Sequence, residues 1–208
     1  MDLSGSSEIE DALRRVGELL AYGGHSYAIV ILGGAALNLL GIVERPTTDV
    51  DILAFASYEG GKSRLLHEPP DPMPAPFREA IRSVARDLGL DEDRLNAGPA
   101  IQWRAGLPPS LPDRVQRRGY DSLHVGIVAR YDLIFFKLFA SADAPGPLSV
   151  HYQDLLALRP TADELSSAEE WVRTQDAAPE FAGILAEVVR HARHDLGIDD
   201  TAHVGRDR

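Results

Sequence analysis

A glycine pair closes one apolar run of this chain and an Asp-x-Asp motif opens the next, and this arrangement constrains the fold more than any other feature. Tyr27 to Leu32 is continuous, apolar and rich in β-branched residues, which predicts a buried strand. Gly33-Gly34 follows, and then the helix-favouring stretch Ala35 to Leu40. A second strand is predicted from Asp49 to Ala56. Together these elements predict a β-α-β or hairpin-like unit with both aspartates at the start of its second strand.

The two aspartates of this motif, Asp49 and Asp51, favour a divalent-cation site. Alternate residues of a strand share a face, so the two carboxylates point the same way with their Cα atoms about 7 Å apart. The carboxylates repel each other, and Mg²⁺ is commonly bound by one or two carboxylates together with substrate phosphates. A solvated strand end is the alternative, but acidic residues are depleted from strands.

The glycine pair, Gly33 and Gly34, supplies the other half of the predicted site. Glycine has no Cβ, so a phosphate can approach the backbone N–H groups closely. The helix that follows adds free N–H groups and the positive end of its dipole. A triphosphate held between the glycines and a metal on the aspartates is therefore the expected ligand.

The segment resembles the signature of the nucleotidyltransferase superfamily, in which an apolar residue, Gly-Gly, a spacer and Asp-x-Asp follow one another. The spacer here, Ala35 to Thr48, has 14 residues and is slightly long for the superfamily. One branch, the abortive-infection toxin transferases and their uncharacterised relatives, carries Arg-x-Ser/Thr-x-Asp-x-Asp. Arg45, Thr47, Asp49 and Asp51 match that pattern. The resemblance covers roughly residues 25 to 165.

The same branch has a downstream Lys-Leu and a later Asp, which Lys137-Leu138 and Asp154 match. The resemblance implies an α/β (α+β) fold with a small mixed sheet flanked by helices and further helices towards the C-terminus. It also implies Mg²⁺ or Mn²⁺ as cofactor and a nucleoside triphosphate as substrate. The implied catalytic residues are Asp49, Asp51, Lys137 and Asp154, of which Asp49 and Asp51 bind the metal, and the implied nucleotide-binding residues are Gly33, Gly34, Arg45 and Thr47.

Lys137 and Asp154 each also have a purely structural interpretation. Arg45 and Lys137 suit phosphate clamps, because Arg offers a planar fork and Lys a point charge. Lys137 is, however, the only charged residue between Leu133 and Ala140, and such a lysine often extends its ammonium to solvent. Asp154 is either a base or orienting group near the site, or a residue of an exposed helix face or a salt bridge.

One departure from the superfamily concerns a third carboxylate, which many members carry on a later strand. The corresponding strand here, Leu123 to Val128, has His124 as its only polar side chain. This absence favours the alternative of a catalytically inactive module that keeps the fold and binds a nucleotide or a protein partner.

Composition narrows the remaining choices. The formal net charge of −11 argues against a general nucleic-acid binder, which is usually basic, and the absence of cysteine excludes disulfides and thiolate metal sites. The sequence has no apolar run of membrane-spanning length and no signal-peptide pattern, so a cytoplasmic location without a membrane partner is expected. An arginine-rich segment is either a solvated loop or a local nucleic-acid contact; it comprises Trp103, Arg104, Arg114, Arg117, Arg118 and Tyr120.

The predicted organisation is a nucleotidyltransferase-like core at 1–145, with a Pro- and Arg-rich insertion at about 57–118, and a helical region at 146–208. Residues 57–76 and 99–118 are predicted to be loops, and 122–129 a strand. Helices are predicted at 8–22, 77–88, 133–140, 151–158, 162–173 and 179–196.

The function predicted from these features is metal-dependent transfer of a nucleoside monophosphate from a triphosphate to a hydroxyl on RNA, protein or a small molecule. The alternative, which is a binding protein rather than an enzyme, is the catalytically inactive module that keeps the fold. A third hypothesis is one half of a toxin–antitoxin pair, in which an antitoxin-like protein partner masks the site.

Overall fold

The structure, a computed structural model, describes residues 3–47, 49–59, 62–90, 95–96, 106–144 and 146–198. The chain divides into two compact units, Met1–Arg130 and Tyr131–Arg208. The sequence pattern predicts the end of the core later, at residue 145. The strands are β1 (Leu3–Ser4), β2 (Tyr27–Leu32), β3 (Pro46–Thr47), β4 (Val50–Glu59), β5 (Lys62–His67), β6 (Leu95–Asn96), β7 (Gln116–Tyr120) and β8 (Leu123–Ile127). The helices are α1 (Ser6–Tyr22), α2 (Gly33–Leu39), α3 (Ala75–Asp87), α4 (Leu111–Arg114), α5 (Arg130–Asp143), α6 (Val150–Ala157), α7 (Ala162–Val172) and α8 (Pro179–Asp195).

The first unit is built on a mixed sheet in the order β5-β4-β2-β8-β7, with β6 also paired to β4. The central strand β2 is antiparallel to β4 and parallel to β8. Leu123, Val125 and Ile127 of β8 are buried, which confirms the face predicted from their alternation. The coarse prediction, a mixed sheet combined with helices, is therefore confirmed.

The segment β2-α2-β4 is the hairpin-like form of the predicted unit, because its two strands run antiparallel. Leu32 pairs with Asp51 and Ile31 with Ile52, which brings the end of β2 level with the start of β4. The helix begins at Gly33, directly after the strand. Asp49 immediately precedes β4, whose first residue is Val50.

Two predicted loops contain strands, and both corrections concern the edges of the sheet. The range 57–76 contains β5, which pairs antiparallel with β4, and the range 99–118 contains most of β7, which pairs antiparallel with β8. In the sheet order, β5 and β7 are the two outer strands. Edge strands commonly carry charged side chains as protection against aggregation, so they lack the apolar runs by which central strands are recognised.

The second unit is helical and contains nearly all of α5 together with α6, α7 and α8. A capping box begins α7, since Thr161 and Glu164 exchange side-chain-to-backbone hydrogen bonds. The helix α5 begins at Arg130, and Asp132 lies inside its first turn. Trp171 packs edge-on against Phe135 and Phe136. None of the described helices has the length and apolar character to cross a bilayer.

Candidate functional site

The carboxylate of Asp51 lies against the backbone of Gly33. A Cβ at position 33 would sit 2.0 Å from Oδ2 of Asp51, and Gly33 has a φ of +74°, in the left-handed region that favours glycine. The antiparallel register creates this approach, because Asp51 pairs with Leu32, the residue before Gly33. The first glycine is therefore required by the chain itself, to leave room for the second aspartate of the motif.

Gly34 has the same relation to Thr47. A Cβ there would lie 2.8 Å from Oγ1 of Thr47 and 3.6 Å from Nη2 of Arg45. Thr47 is buried, and its hydroxyl donates a hydrogen bond to the backbone oxygen of Asp49 at 3.1 Å. Five of the predicted residues, Gly33, Gly34, Arg45, Thr47 and Asp51, are thus gathered at one place, and Thr47 links that place to Asp49.

The sequence pattern does not identify Asn38, a polar side chain that makes three hydrogen bonds at this place. Asn38 lies in α2 and is only 1% exposed. Its amide nitrogen donates to the carbonyls of Gly34 and Arg45, each at 3.0 Å. Its amide oxygen accepts from the backbone N–H of Arg45 at 3.3 Å. Asn38 therefore holds the backbone of Arg45 beside the glycine turn.

The signal for Asn38 is present in the sequence but weak. Asn38 follows Gly34 by four residues, inside an otherwise apolar helix. Such an asparagine is either exposed to solvent or buried, and a buried amide needs hydrogen-bond partners. The apolar run on both sides, Ala35 to Leu37 and Leu39 to Leu40, favours burial. Its partners could not be identified in advance, because the loop to Arg45 has no periodicity.

Asn38→Asp is expected to lower the free energy of unfolding by about 2–3 kcal/mol, because two partly buried carbonyls lose their donor and meet a carboxylate instead. Chemical denaturation of the full chain measures this loss. Gln153→Glu is the matched control, since the Gln153 amide nitrogen donates to the carbonyl of Pro147 at an exposed position. The control is expected to change stability by less than about 0.5 kcal/mol. Equal losses in the two variants would contradict the clamping role of Asn38.

Lys137 and Asp154 lie in the second unit and bind each other. The Lys137 ammonium and Oδ2 of Asp154 are 2.7 Å apart, and the two side chains are 8% and 3% exposed. Of the alternatives for these residues, the salt bridge is the one observed, and the Lys137 side chain is buried rather than extended to solvent. The pair joins α5 to α6 within one helical unit.

The arginine-rich segment is partly used inside the protein. Arg118, on β7, forms an ion pair with Glu10 of α1 and donates to the carbonyl of Leu39 at 2.6 Å. Arg114 donates to the carbonyl of Pro109 at 2.6 Å. Trp103 and Arg104 lie outside the described residues. His124, on β8, is exposed. The Arg118 contacts tie β7 to α1 and α2, which is a structural role.

The motif offers two carboxylates, Asp49 and Asp51, as candidate metal ligands. Among the described residues no three or more His, Cys, Asp or Glu side chains are grouped as a complete protein-built metal site would require. Mg²⁺ does not need such a group, because it is usually bound by one or two carboxylates, waters and substrate phosphates. Asp49 and Asp51 supply the carboxylate type of donor that such an ion takes.

Comparison of the chain with family models, with curated proteins and with solved structures finds no match. The assignment of function consequently depends on the residues of the site.

Proposed function

We propose that the protein is a metal-dependent nucleotidyltransferase that moves a nucleoside monophosphate from a triphosphate to a hydroxyl acceptor. The observation that carries the proposal is the assembly of Gly33, Gly34, Arg45, Thr47 and Asp51 at the junction of β2, α2 and β4. In the sequence, α2 and the loop after it separate the glycine pair from the other three residues. In the structure, their side chains and backbones contact one another. A nucleotidyltransferase-type fold is part of the proposal and is supported by the hairpin-like β2-α2-β4 unit.

Each residue has a role that its chemistry suits. Asp49 and Asp51 would hold Mg²⁺ or Mn²⁺, which supplies charge neutralisation of the triphosphate when it is bound. Arg45, beside the glycine turn, offers a planar guanidinium to phosphate oxygens. Thr47 fixes the backbone at Asp49, and Asn38 fixes the backbone at Arg45. Catalysis of this class consists mostly of positioning and electrostatic stabilisation, which is what such supporting contacts provide.

The second candidate function is a nucleotide-binding or partner-binding module without catalysis. One observation favours it: Lys137 and Asp154, which the family resemblance implies as catalytic, are engaged with each other at 2.7 Å. In that case the protein binds a triphosphate and does not consume it. A masked toxin with a protein partner would instead consume the triphosphate once the partner is removed.

Asp49→Asn combined with Asp51→Asn is expected to abolish Mg²⁺-dependent binding of a nucleoside triphosphate, because both metal ligands lose their charge. Calorimetric titration with each of the common triphosphates, with and without Mg²⁺, measures this loss. The fold is expected to survive, since removing two neighbouring negative charges removes a repulsion.

The matched control is Asp87→Asn combined with Asp113→Asn, which changes the net charge equally at two exposed positions of the same unit. This control is expected to bind the triphosphate as the wild type does. Unchanged titration in the Asp49/Asp51 variant would remove the proposed site, whereas binding without consumption of a labelled triphosphate would select the non-catalytic module.

A further inference from the structure

A cleft of about 330 Å³ lies on the second unit, beside α7 and α8. One face of α8 forms most of its wall, with lining residues at spacings of three and four: Ala186, Val189, Arg190 and Arg193. Cavities of about 300–1,000 Å³ are usual for small-molecule sites. The cleft therefore has the size of a ligand site, and its lining decides which class of ligand it takes.

The lining combines an apolar part with a positively charged part. Ala186, Val189 and Ile198 supply the apolar part, and Arg190 and Arg193 supply two guanidinium groups. Guanidinium groups bind carboxylate and phosphate oxygens, whereas apolar side chains favour contact with a carbon group. A ligand that carries both an anionic group and a carbon group is therefore matched to the cleft.

The acidic residues around the cleft do not cancel its positive charge. Glu169 is the one carboxylate among the described residues that line the cleft, and it forms an ion pair with Arg173 at 2.6 Å. Arg190 pairs with Glu187, but the two side chains are 62% and 63% exposed, and exposed pairs of this kind are weak. An incoming anion with two charges can therefore replace Glu187 at Arg190.

Arg193 is held in position by α7. Its Nη2 donates to Oγ of Ser166 at 2.9 Å, and the Ser166 hydroxyl donates in turn to the carbonyl of Ala162 at 2.9 Å. A side chain that is already ordered loses less conformational freedom when a ligand binds. The structure therefore presents one guanidinium of the cleft in a fixed place.

His194 adds an imidazole to the two guanidinium groups. Its Nδ1 lies 3.0 Å from Oδ1 of Asp195, and Oδ2 of Asp195 accepts a hydrogen bond from the buried Tyr152 hydroxyl at 2.7 Å. The hydrogen bonds from His194 and Tyr152 hold the pKa of Asp195 below its ordinary value, so the carboxylate stays ionised and orients the imidazole. Nε2 of His194 can then donate to a phosphate oxygen when the ring is protonated, or accept from a phosphate hydroxyl when it is neutral.

We propose that this cleft binds a phosphate monoester whose carbon group is small and apolar. Arg190 and Arg193 bind the phosphate oxygens, because a planar guanidinium matches two oxygens of a phosphate. His194 binds a third oxygen, which a tetrahedral phosphate has and a planar carboxylate lacks. The carbon group packs on the apolar part of the lining. The site consists of residues of the second unit alone, so it is separate from the triphosphate site proposed at the Asp-x-Asp motif and requires no metal.

Phenyl phosphate is the probe, measured by calorimetric titration of the full chain without nucleotide or divalent metal. We expect phenyl phosphate to bind and phenol, which has no charge, to give no signal. Inorganic phosphate is expected to bind at least tenfold more weakly than phenyl phosphate, because it leaves the apolar part of the lining uncovered. Benzoate, with one charge and two oxygens, is expected to bind at least tenfold more weakly as well.

Arg193→Gln is expected to weaken phenyl phosphate binding roughly 10- to 150-fold, the value of a charge-assisted hydrogen bond. Arg190→Gln tests the same cleft at an exposed position if the first variant does not fold, and a loss of at least fivefold is expected. Arg159→Gln is the matched control, because it removes the same charge at an exposed position of the same unit outside the cleft. The control is expected to bind phenyl phosphate as the wild type does.

No binding of phenyl phosphate by the wild type, or equal affinity in the wild type, Arg190→Gln and Arg193→Gln, would overturn the site. Benzoate binding as tightly as phenyl phosphate would overturn phosphate as the recognised group, and inorganic phosphate binding as tightly would overturn the apolar carbon group. The Asp49→Asn/Asp51→Asn variant is expected to bind phenyl phosphate as the wild type does. Loss of phenyl phosphate binding in that variant would place the probe at the motif and not in the cleft.

Discussion

Replacing either Lys137 or Asp154 alone is expected to lower the free energy of unfolding by about 3–5 kcal/mol. The two charged groups are 2.7 Å apart and their side chains are 8% and 3% exposed, so each compensates for the other's removal from water. Lys137→Met leaves the carboxylate buried without the ammonium, and Asp154→Leu leaves the ammonium without the carboxylate. The decrease in the free energy of unfolding therefore measures the cost of a buried charge without its partner.

The double variant Lys137→Met/Asp154→Leu is expected to lose far less than the sum of the single variants, because neither charge of the pair remains without its partner. Chemical denaturation of the four proteins completes the double-mutant cycle. The pair Arg190–Glu187 is the matched control, since its side chains are 62% and 63% exposed. Its removal is expected to cost between about 0 and 1 kcal/mol.

The same variants separate a structural pair from the role that the family resemblance implies. If Lys137 clamps phosphate, Lys137→Ala would weaken triphosphate binding by roughly 10- to 150-fold, the value of a charge-assisted hydrogen bond. Asp154→Asn would then reduce turnover and leave binding intact. Comparable losses of stability in both variants, with unchanged triphosphate affinity, would assign the pair to the support of the helical unit.

The parts of the fold that could be predicted from the sequence are those whose residues are buried on a regular period. The central strands β2, β4 and β8 are apolar over most of their length, and the long helices have apolar residues at helical spacing. The outer strands β5 and β7 could not be recognised, because their sequences, Lys-Ser-Arg-Leu-Leu-His and Gln-Arg-Arg-Gly-Tyr, are charged. Their pairing depends on the strand that lies beside them in the sheet. The local pattern of a single sequence does not show which strand that is.

The candidate site, like the fold, could be predicted only in part from the sequence. The motif residues were identified because their spacing is unusual, and the structure gathers Gly33, Gly34, Arg45, Thr47 and Asp51. The prediction that the glycines leave space for a phosphate is incomplete, because Asp51 and Thr47 of the same chain occupy the space beside them. Asn38 was missed because its three hydrogen bonds reach a loop without periodicity. Spacing identifies the chemical groups, and only tertiary structure identifies what holds them.

Gly17→Ala is expected to lower the free energy of unfolding by about 3 kcal/mol, at the upper end of the cost of overpacking. Gly17 is a buried residue of α1, and a Cβ there would lie 1.8 Å from the carbonyl oxygen of Tyr120 and 2.8 Å from its carbon. The obstacle is backbone at the end of β7, which cannot rotate away as a side chain can. Either α1 or the β7-β8 turn must move, although alanine favours the helix itself by about 1 kcal/mol.

Gly183→Ala separates packing from helix propensity. Gly183 lies inside α8, and a Cβ there would meet no atom within 4 Å. The same substitution is therefore expected to raise the free energy of unfolding by about 0.5–1 kcal/mol, the usual gain in a helix interior. Chemical denaturation of the two variants should show shifts of opposite sign. A stabilised Gly17→Ala would mean that α1 does not approach the β7-β8 turn this closely.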